Sequence, residues 1–414
     1  MALLAAEMIT NAGHEAVVLG GAMQIDLNEQ LNTMHYGAAA FTSDEKALDG
    51  SVTDTDHVAF VNAARRWFDS QLAEHRPDVV HVHNCGRILS QTDLAKLSTR
   101  VPVVHTMHDE WFFTDAHYTF RSTPSSPVVR TVEPGRSDSV IEHRYEHLWD
   151  VPALVGNFTA VGPSKWISER ASQVFPTLDV VHLPNAVDTS LFELQDRTQA
   201  RALLGLPADR PIVLFVGSPT QERKGFALYE QAVRKAISPD GQAPMRLVAG
   251  GTGSVVSGPR DSLFGPGPIA DLVSTPAMSP IGALGIGGDG LVVAGLDRSL
   301  IPALYGAADV LVHPSAIDNL PTVPIEAGLC GTHVLATNVG GTRETIADID
   351  GLFPLATSAD ELASRISNAL VASTSETVAD RQRRRDVQLE RFTIDRHQGA
   401  LLALLQNIGD RGVS

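Results

Sequence analysis

The chain has 414 residues, 43% of them hydrophobic and 19% charged, with a formal net charge of −16. That length is ample for two or three domains with large cores. The acidic balance argues against a general nucleic-acid-binding surface, which needs a basic footprint, and against attraction to an anionic membrane. Two cysteines, Cys85 and Cys330, stand far apart and form neither a disulfide framework nor a zinc spacing, which fits a reducing compartment. No apolar run reaches the roughly 18 residues of a spanning helix. The opening MALLAAEMITNAGHE lacks the positive n-region of a signal peptide. The expected location is the cytoplasm, with at most peripheral contact at the inner face of the plasma membrane.

In chain order, a helix is expected from Met1, with Gly13 as its stop signal. Short β-branched runs follow at 15–21, 78–83, 101–107, 158–162 and 179–185. Amphipathic stretches alternate with them at 58–76, 90–98 and 164–175. Strands alternating with helices predict parallel α/β layers. The pattern lapses over 186–209 and restarts with runs at 210–217, 245–251, 290–295, 309–315 and 332–338. Two sets of strands predict two Rossmann-like domains. The expected division is 1–192, 193–394 and a final helix over 395–414. Residues 251–290, rich in Gly, Pro and Ser, are expected to be a mobile insertion or a lid. A fold of this type normally opens with a strand before its first helix. That strand is missing here, so the expected start lies upstream, and a longer chain is expected to be more stable. The arginine run RQRRR at 381–385 reads as a solvated helix face rather than a lipid or partner patch.

The segment DNLPTVPIE at 318–326 places two carboxylates eight positions apart. Asp318 falls in the loop after a buried strand, and Glu326 falls near the start of the next helix, which Thr322 can cap and Pro324 can open. Ligands of open α/β sheets bind outside the carboxyl ends of strands. Carboxylates there can accept bonds from vicinal hydroxyls of a sugar or ribose. The blander alternative has Glu326 complementing a helix dipole and Asp318 shaping a turn. Downstream, a strand runs into Gly340-Gly341-Thr342, where glycine permits close approach and N–H groups at a helix start attract phosphate. Acids for hydroxyls and amides for phosphate, within one unit, point to a nucleotide sugar. Farther upstream, His81 and His83 alternate along one strand and share a face, while His105 and His108 end the next. No regular ligand spacing makes them a metal site.

The stretch from Gly295 to Glu344 resembles the donor region of retaining GT-B glycosyltransferases of family 4, also called glycosyltransferase group 1. Those enzymes carry Glu-x7-Glu, and Asp318 stands here at the first position with Glu326 at the second. The resemblance implies that Glu326 binds the ribose hydroxyls and Asp318 the transferred sugar. Backbone around Asn319, Leu320, Pro321 and Thr322 would contact sugar and phosphate, with Gly340 and Gly341 receiving charge. The DNLP form resembles the exopolysaccharide branch, including colanic-acid-type enzymes. VLFVGSPTQERKGF is similar to the segment that holds the diphosphate through an Arg and a Lys. Lys224 takes the Lys position; Ser218 stands at the Arg position, and Arg223 can supply the second charge. Fixed cations aimed at a leaving diphosphate are usually the largest catalytic term. VVHTMHDEWFFTDAHY resembles the stretch carrying the active-site histidine, which maps onto His108, with Asp109 close by. Trp111, Phe112 and Phe113 read as core or acceptor-cleft wall. VGPSKWISER, with Ser164, and LPNAVDTSLF, with Asn185 and Asp188, match the end of the first domain and the interdomain loop.

The resemblance implies a GT-B fold with two Rossmann-like domains facing a central cleft and a final helix crossing back to the first. It implies a retaining hexosyltransferase taking its sugar from a nucleoside diphosphate and passing it to a saccharide or lipid-linked saccharide. No cofactor and no metal are expected if Lys224 and Arg223 neutralise the diphosphate. Two alternatives are a GT-B-like nucleotide-sugar epimerase and a non-catalytic scaffold of a polysaccharide-synthesis complex.

Overall fold

The computed structural model describes residues 2–21, 33–36, 66, 68–83, 91–109, 157–219, 221–250, 283–286, 290–293 and 297–412. Two units result. The first comprises Met1–Asn185 and His397–Ser414, the second Ala186–Arg396.

The first unit begins with helix α1 (Ala2–Asn11) and two parallel strands, β1 (Val18–Gly21) and β2 (Thr33–Tyr36). Strand β3 (Val80–His83), helix α2 (Gln91–Ser98), strands β4 (Val103–Thr106) and β5 (Phe158–Gly162), helix α3 (Lys165–Val174) and strand β6 (Asp179–His182) follow. β3 to β6 form a parallel sheet in sequence order. Alternation sorts their side chains onto two faces. Val82, Val103, Phe158 and Ala160 pack with Leu94 and Leu97 of α2 and Ile167 and Ala171 of α3. On the opposite face Val104 and Val161 pack with Ala5 of α1 and, far along the chain, Leu401 and Ile408. Ser164 starts α3 as its N-cap, accepting from Ile167 N at 3.1 Å, which satisfies a donor the helix cannot.

The second unit continues with α4 (Arg197–Leu204), β7 (Ile212–Val216), α5 (Phe226–Lys235), β8 (Met245–Ala249), β9 (Ala283–Ile286), β10 (Gly290–Val293), α6 (Ile301–Ala307), β11 (Val310–His313), α7 (Thr322–Leu329), β12 (His333–Thr337), the short α8 (Thr342–Thr345), β13 (Leu352–Phe353), α9 (Ala359–Ser373) and α10 (Val378–Leu389). α11 (Ile394–Gly412) then enters the first unit. Residues 186–192 belong with the second unit: Val187 N donates to Phe392 O at 2.9 Å, and Phe192 packs on Tyr305.

The second sheet has the order β13-β12-β11-β7-β8-β10-β9, parallel except for β9. Ile212, Leu214 and Leu311 face one helical layer, where Tyr305 and Ile325 sit. Val213, Phe215, Val310 and Val312 face the other, where Tyr229 and Ile366 sit. A sheet buried on both faces explains why these strands read as continuous apolar runs. From β7 the chain winds outward through β8 and β10, then returns to β7's other side for β11, β12 and β13. The winding direction therefore reverses between β7 and β11, which is where such sheets form a ligand crevice.

The stretch 251–290 holds more order than expected at its end, where β9 pairs antiparallel with β10. Residues 251–282 lie outside the described residues. α11 docks on the first unit by named contacts: His397 Nδ1 with Pro184 O at 2.7 Å, and Gln398 Nε2 donating to Met8 O at 2.8 Å. Among the described residues no helix is long and apolar enough to cross a membrane.

Candidate functional site

Three loops leave the carboxyl ends of adjacent strands β7, β11 and β12, and hydrogen bonds tie them together. Ala316 N, after β11, donates to Arg223 O, after β7, at 2.7 Å. Gly341 N, after β12, donates to Asp318 O at 3.1 Å. Two glycines allow the approach. Gly225 has φ +72° and a Cβ there would lie 2.0 Å from Pro314 O; Gly340 has φ +51° and a Cβ would lie 2.0 Å from Asp318 O. Neither position accepts a side chain without moving backbone.

Asp318 is the hub. Lys224 Nζ donates to its two carboxylate oxygens at 2.9 and 3.0 Å, and Arg223 reaches it at 3.5 Å. His313 Nε2 lies 3.0 Å from Oδ2. A carboxylate only accepts, so that nitrogen carries the proton. Burial pushes the Asp318 carboxyl up, but the His313 bond and the Lys224 charge more than reverse it and hold it well below the usual carboxylate range. Lys224 retains a third N–H, and Arg223, 45% exposed, has donors to spare for an incoming anion.

Glu326 lies in the second turn of α7. The N-cap is Pro321, and Thr322 is the first helical residue, without a side-chain cap bond. The expected Thr322 cap is therefore corrected, and so is the reading of Glu326 as a dipole-complementing first-turn acid. Instead Tyr305, fully buried, donates its hydroxyl to Glu326 Oε2 at 2.7 Å, and Thr322 also bonds the carboxylate. Burial raises the Glu326 carboxyl, and the Tyr305 and Thr322 bonds pull it back. Burial holds the Tyr305 phenol far above its ordinary range, so it stays a donor.

The arginine run is not a solvated face. Arg381, Arg384 and Arg385 converge on the carboxyl end of the helix that carries Glu326. Arg385 bonds Leu329 O at 2.9 Å, Arg381 bonds Cys330 O at 3.3 Å and Arg384 bonds Gly331 O at 3.0 Å. These carbonyls are what a helix end leaves unsatisfied, and cations suit the negative end of its dipole. Arg384 also pairs with Asp348 at 2.7 Å and Glu376 at 2.5 Å. Only Arg383 fits the surface reading.

Among the other expected residues, Ser218 is buried beside the β7 loop. Leu320 turns its side chain into the core, so only its backbone is available to a ligand. Gly341 spends its N–H on Asp318, so its first role is holding that loop rather than receiving charge. Asp188 accepts from Ser190 and Leu191 within its own turn. Trp111, Phe112 and Phe113 lie outside the described residues. His313 and Tyr305 were missed. Both sit in apolar runs, VLVH and ALYGAA, where the pattern reads as core.

In the first unit, His81, His83 and His108 gather on one face. His81 Nε2 meets Thr106 Oγ1 at 2.8 Å, and His83 Nδ1 meets His108 Nε2 at 2.8 Å. His105 turns to the opposite face against Phe158. Burial lowers His81 and His108 to about 4 and His105 to about 3. Among the described residues no three His, Cys, Asp or Glu side chains are grouped to hold a metal ion.

Residues 196–385 match the family Glycosyl transferases group 1, and residues 2–136 match Glycosyl transferase 4-like domain. D-inositol 3-phosphate glycosyltransferase 1 of Catenulispora acidiphila is 29% identical over 282 residues, covering 66% of this chain and 59% of the relative. The D-inositol 3-phosphate glycosyltransferase of Mycolicibacterium smegmatis is 30% identical over 281 residues, covering 67% and 56%. The chain thus spans under two thirds of the length of these relatives. Among solved structures, sucrose-phosphate synthase from Thermosynechococcus elongatus gives a TM-score of 0.67 at 20% identity, covering 98% of this chain and 91% of that one. HepE of Anabaena in complex with UDP-glucose gives 0.58 at 17% identity, covering 98% and 95%. The fold is therefore GT-B, with a sheet in each Rossmann-like half that is parallel apart from β9.

Proposed function

We propose that this protein is a glycosyltransferase that moves a hexose-type sugar from a nucleoside diphosphate to an acceptor hydroxyl with retention of configuration. The observation that carries the reading is the Lys224–Asp318–His313 cluster at the reversal point of the second sheet, with a tethered carboxylate, Glu326, on the following helix. Lys224 and Arg223 neutralise the diphosphate, Glu326 holds the ribose and Asp318 holds the sugar. Backbone from Asn319 to Thr322 and at Gly340 lines the same ligand, and His108 meets the transferred sugar.

Both Asp318 oxygens already accept bonds, which makes it a poor nucleophile and favours a front-face reaction. The bond from the anomeric carbon to the phosphate oxygen breaks as a bond to the acceptor oxygen forms on the same side. The acceptor proton passes to the leaving phosphate. Positioning and fixed charge then supply the acceleration. The acceptor class is a saccharide or lipid-linked saccharide, in polysaccharide or glycoconjugate synthesis in the cytoplasm. The relatives' names add inositol phosphate as an acceptor to test.

The test is a panel of UDP- and GDP-sugars, read first by thermal shift and then by product formation with each acceptor class. One donor should raise the midpoint and yield a glycoside of unchanged anomeric configuration, and Lys224→Ala should abolish both. A donor epimerised without acceptor would establish the epimerase alternative. No turnover with any donor and acceptor, together with donor binding unchanged in Lys224→Ala and Glu326→Ala, would leave only a scaffold.

A further inference from the structure

His83 Nδ1 and His108 Nε2 lie 2.8 Å apart, with their rings stacked at 22°. Burial keeps both imidazoles neutral near pH 7. Two neutral imidazoles share one proton across such a gap, so the tautomer of one dictates that of the other. The far nitrogen decides which arrangement holds. His83 Nε2 is buried and has no hydrogen-bond partner among the described residues. If His108 Nε2 donated, His83 would carry its proton on Nε2 and strand a buried N–H. Orphaned buried donors are rarer and costlier than under-used acceptors. His83 Nδ1 therefore donates, and His108 is left with its proton on Nδ1.

The backbone supports the arrangement. β3 and β4 run parallel in fixed register, pairing His83 with Thr106, two residues before His108. His81 tilts against His83 at 4.2 Å and is itself bonded to Thr106. The His83 ring is thus held between two fixed groups.

We propose that His83 is a positioning residue, setting His108 in the Nδ1–H tautomer so that it presents a hydrogen-bond donor, not a lone pair, to an oxygen of the transferred sugar. This rests on the proposed glycosyl transfer for its role, but the tautomer itself does not.

Two measurements decide it. Long-range proton–nitrogen correlation on the full chain labelled with nitrogen-15 histidine should show His108 Nε2 unprotonated in the wild type. In His83→Leu the proton should move toward Nε2. A wild-type His108 already protonated on Nε2, or a tautomer indifferent to His83→Leu, overturns the proposal even if no donor turns over. With an active donor, His83→Leu should lower kcat by about 10–100-fold, the scale seen when a metal-ligating histidine loses its orienting partner, with KM for donor little changed. Asn places an amide where Nδ1 stood, and Gln places it where Nε2 stood. His83→Asn should therefore recover most of the turnover and His83→Gln should not, which holds even if the Leu variant fails to fold. Combined with His108→Ala, His83→Leu should cause no further loss. Equal rates for Asn and Gln variants, or additive losses in the double variant, reject the role.

Discussion

Lys224 spans both carboxylate oxygens of Asp318, at 2.9 and 3.0 Å, across the point where the second sheet reverses its winding. The lysine proposed to neutralise the diphosphate is therefore already paired with the carboxylate proposed to grip the sugar. Asp318→Asn should release that charge. The nucleoside diphosphate product should bind about tenfold tighter, a gain of about 1.4 kcal/mol, while turnover falls because product leaves slowly and the sugar loses its acceptor. Calorimetry with the diphosphate and steady-state kinetics check the two halves. Weaker product binding would show that Asp318 orients Lys224 more than it restrains it.

Tyr305 donates to Glu326 from a fully buried position. Tyr305→Phe should weaken nucleotide binding by about 10–100-fold, the worth of one hydrogen bond to a charged group. Binding of the diphosphate with and without its nucleoside separates this from damage elsewhere, since inorganic diphosphate should be unaffected.

Gly340→Ala should both destabilise and disarm. The residue must hold φ +51°, and its new Cβ would meet Asp318 O. The cost should exceed about 1 kcal/mol in urea unfolding. Gly241→Ala is the control, because it shares a positive φ but faces open space. Equal losses would mean that the contact with Asp318 costs nothing.

Acid should unfold the first unit early. His81, His105 and His108 have folded values of about 4, 3 and 4, below the unfolded value near 6.5, because burial disfavours their charged forms. The unfolded chain then binds more protons in this window. Stability is complete above pH 6.5 and falls through about pH 4, by roughly 1.4 kcal/mol per pH unit for each histidine. The thermal midpoint against pH should show that slope, and His105→Phe should flatten it.

Arg384→Met should cost about 3–5 kcal/mol, because Asp348 and Glu376 would lose a buried partner. A solvated arginine would cost under about 0.5 kcal/mol, so thermal unfolding distinguishes the two directly.

Much of this was legible in the residues. Every β-branched run read as a strand is one, and the central strands of the second sheet, buried on both faces, announce themselves as apolar stretches. The strands not foreseen were β2, β9 and β13, the last only two residues long and β9 set in glycine-rich sequence. At the site, Asp318 was visible as an acid in the loop after a buried strand, Lys224 and Arg223 only through the family resemblance, and the structure joins them. His313 and Tyr305 were not visible, since a polar atom at the end of an apolar side chain leaves no mark on hydrophobic periodicity. The role of the arginine run was hidden for another reason. Which carbonyls it satisfies depends on a helix some fifty residues upstream, and no local window spans that distance.

The first unit closes its core with Leu401 and Ile408, supplied after the whole second unit has been read out. During synthesis, the second unit emerges as one uninterrupted stretch ahead of those two residues. The first must wait with one face of its sheet unsealed, and Val104 and Val161 are the surface a chaperone would find in the interval.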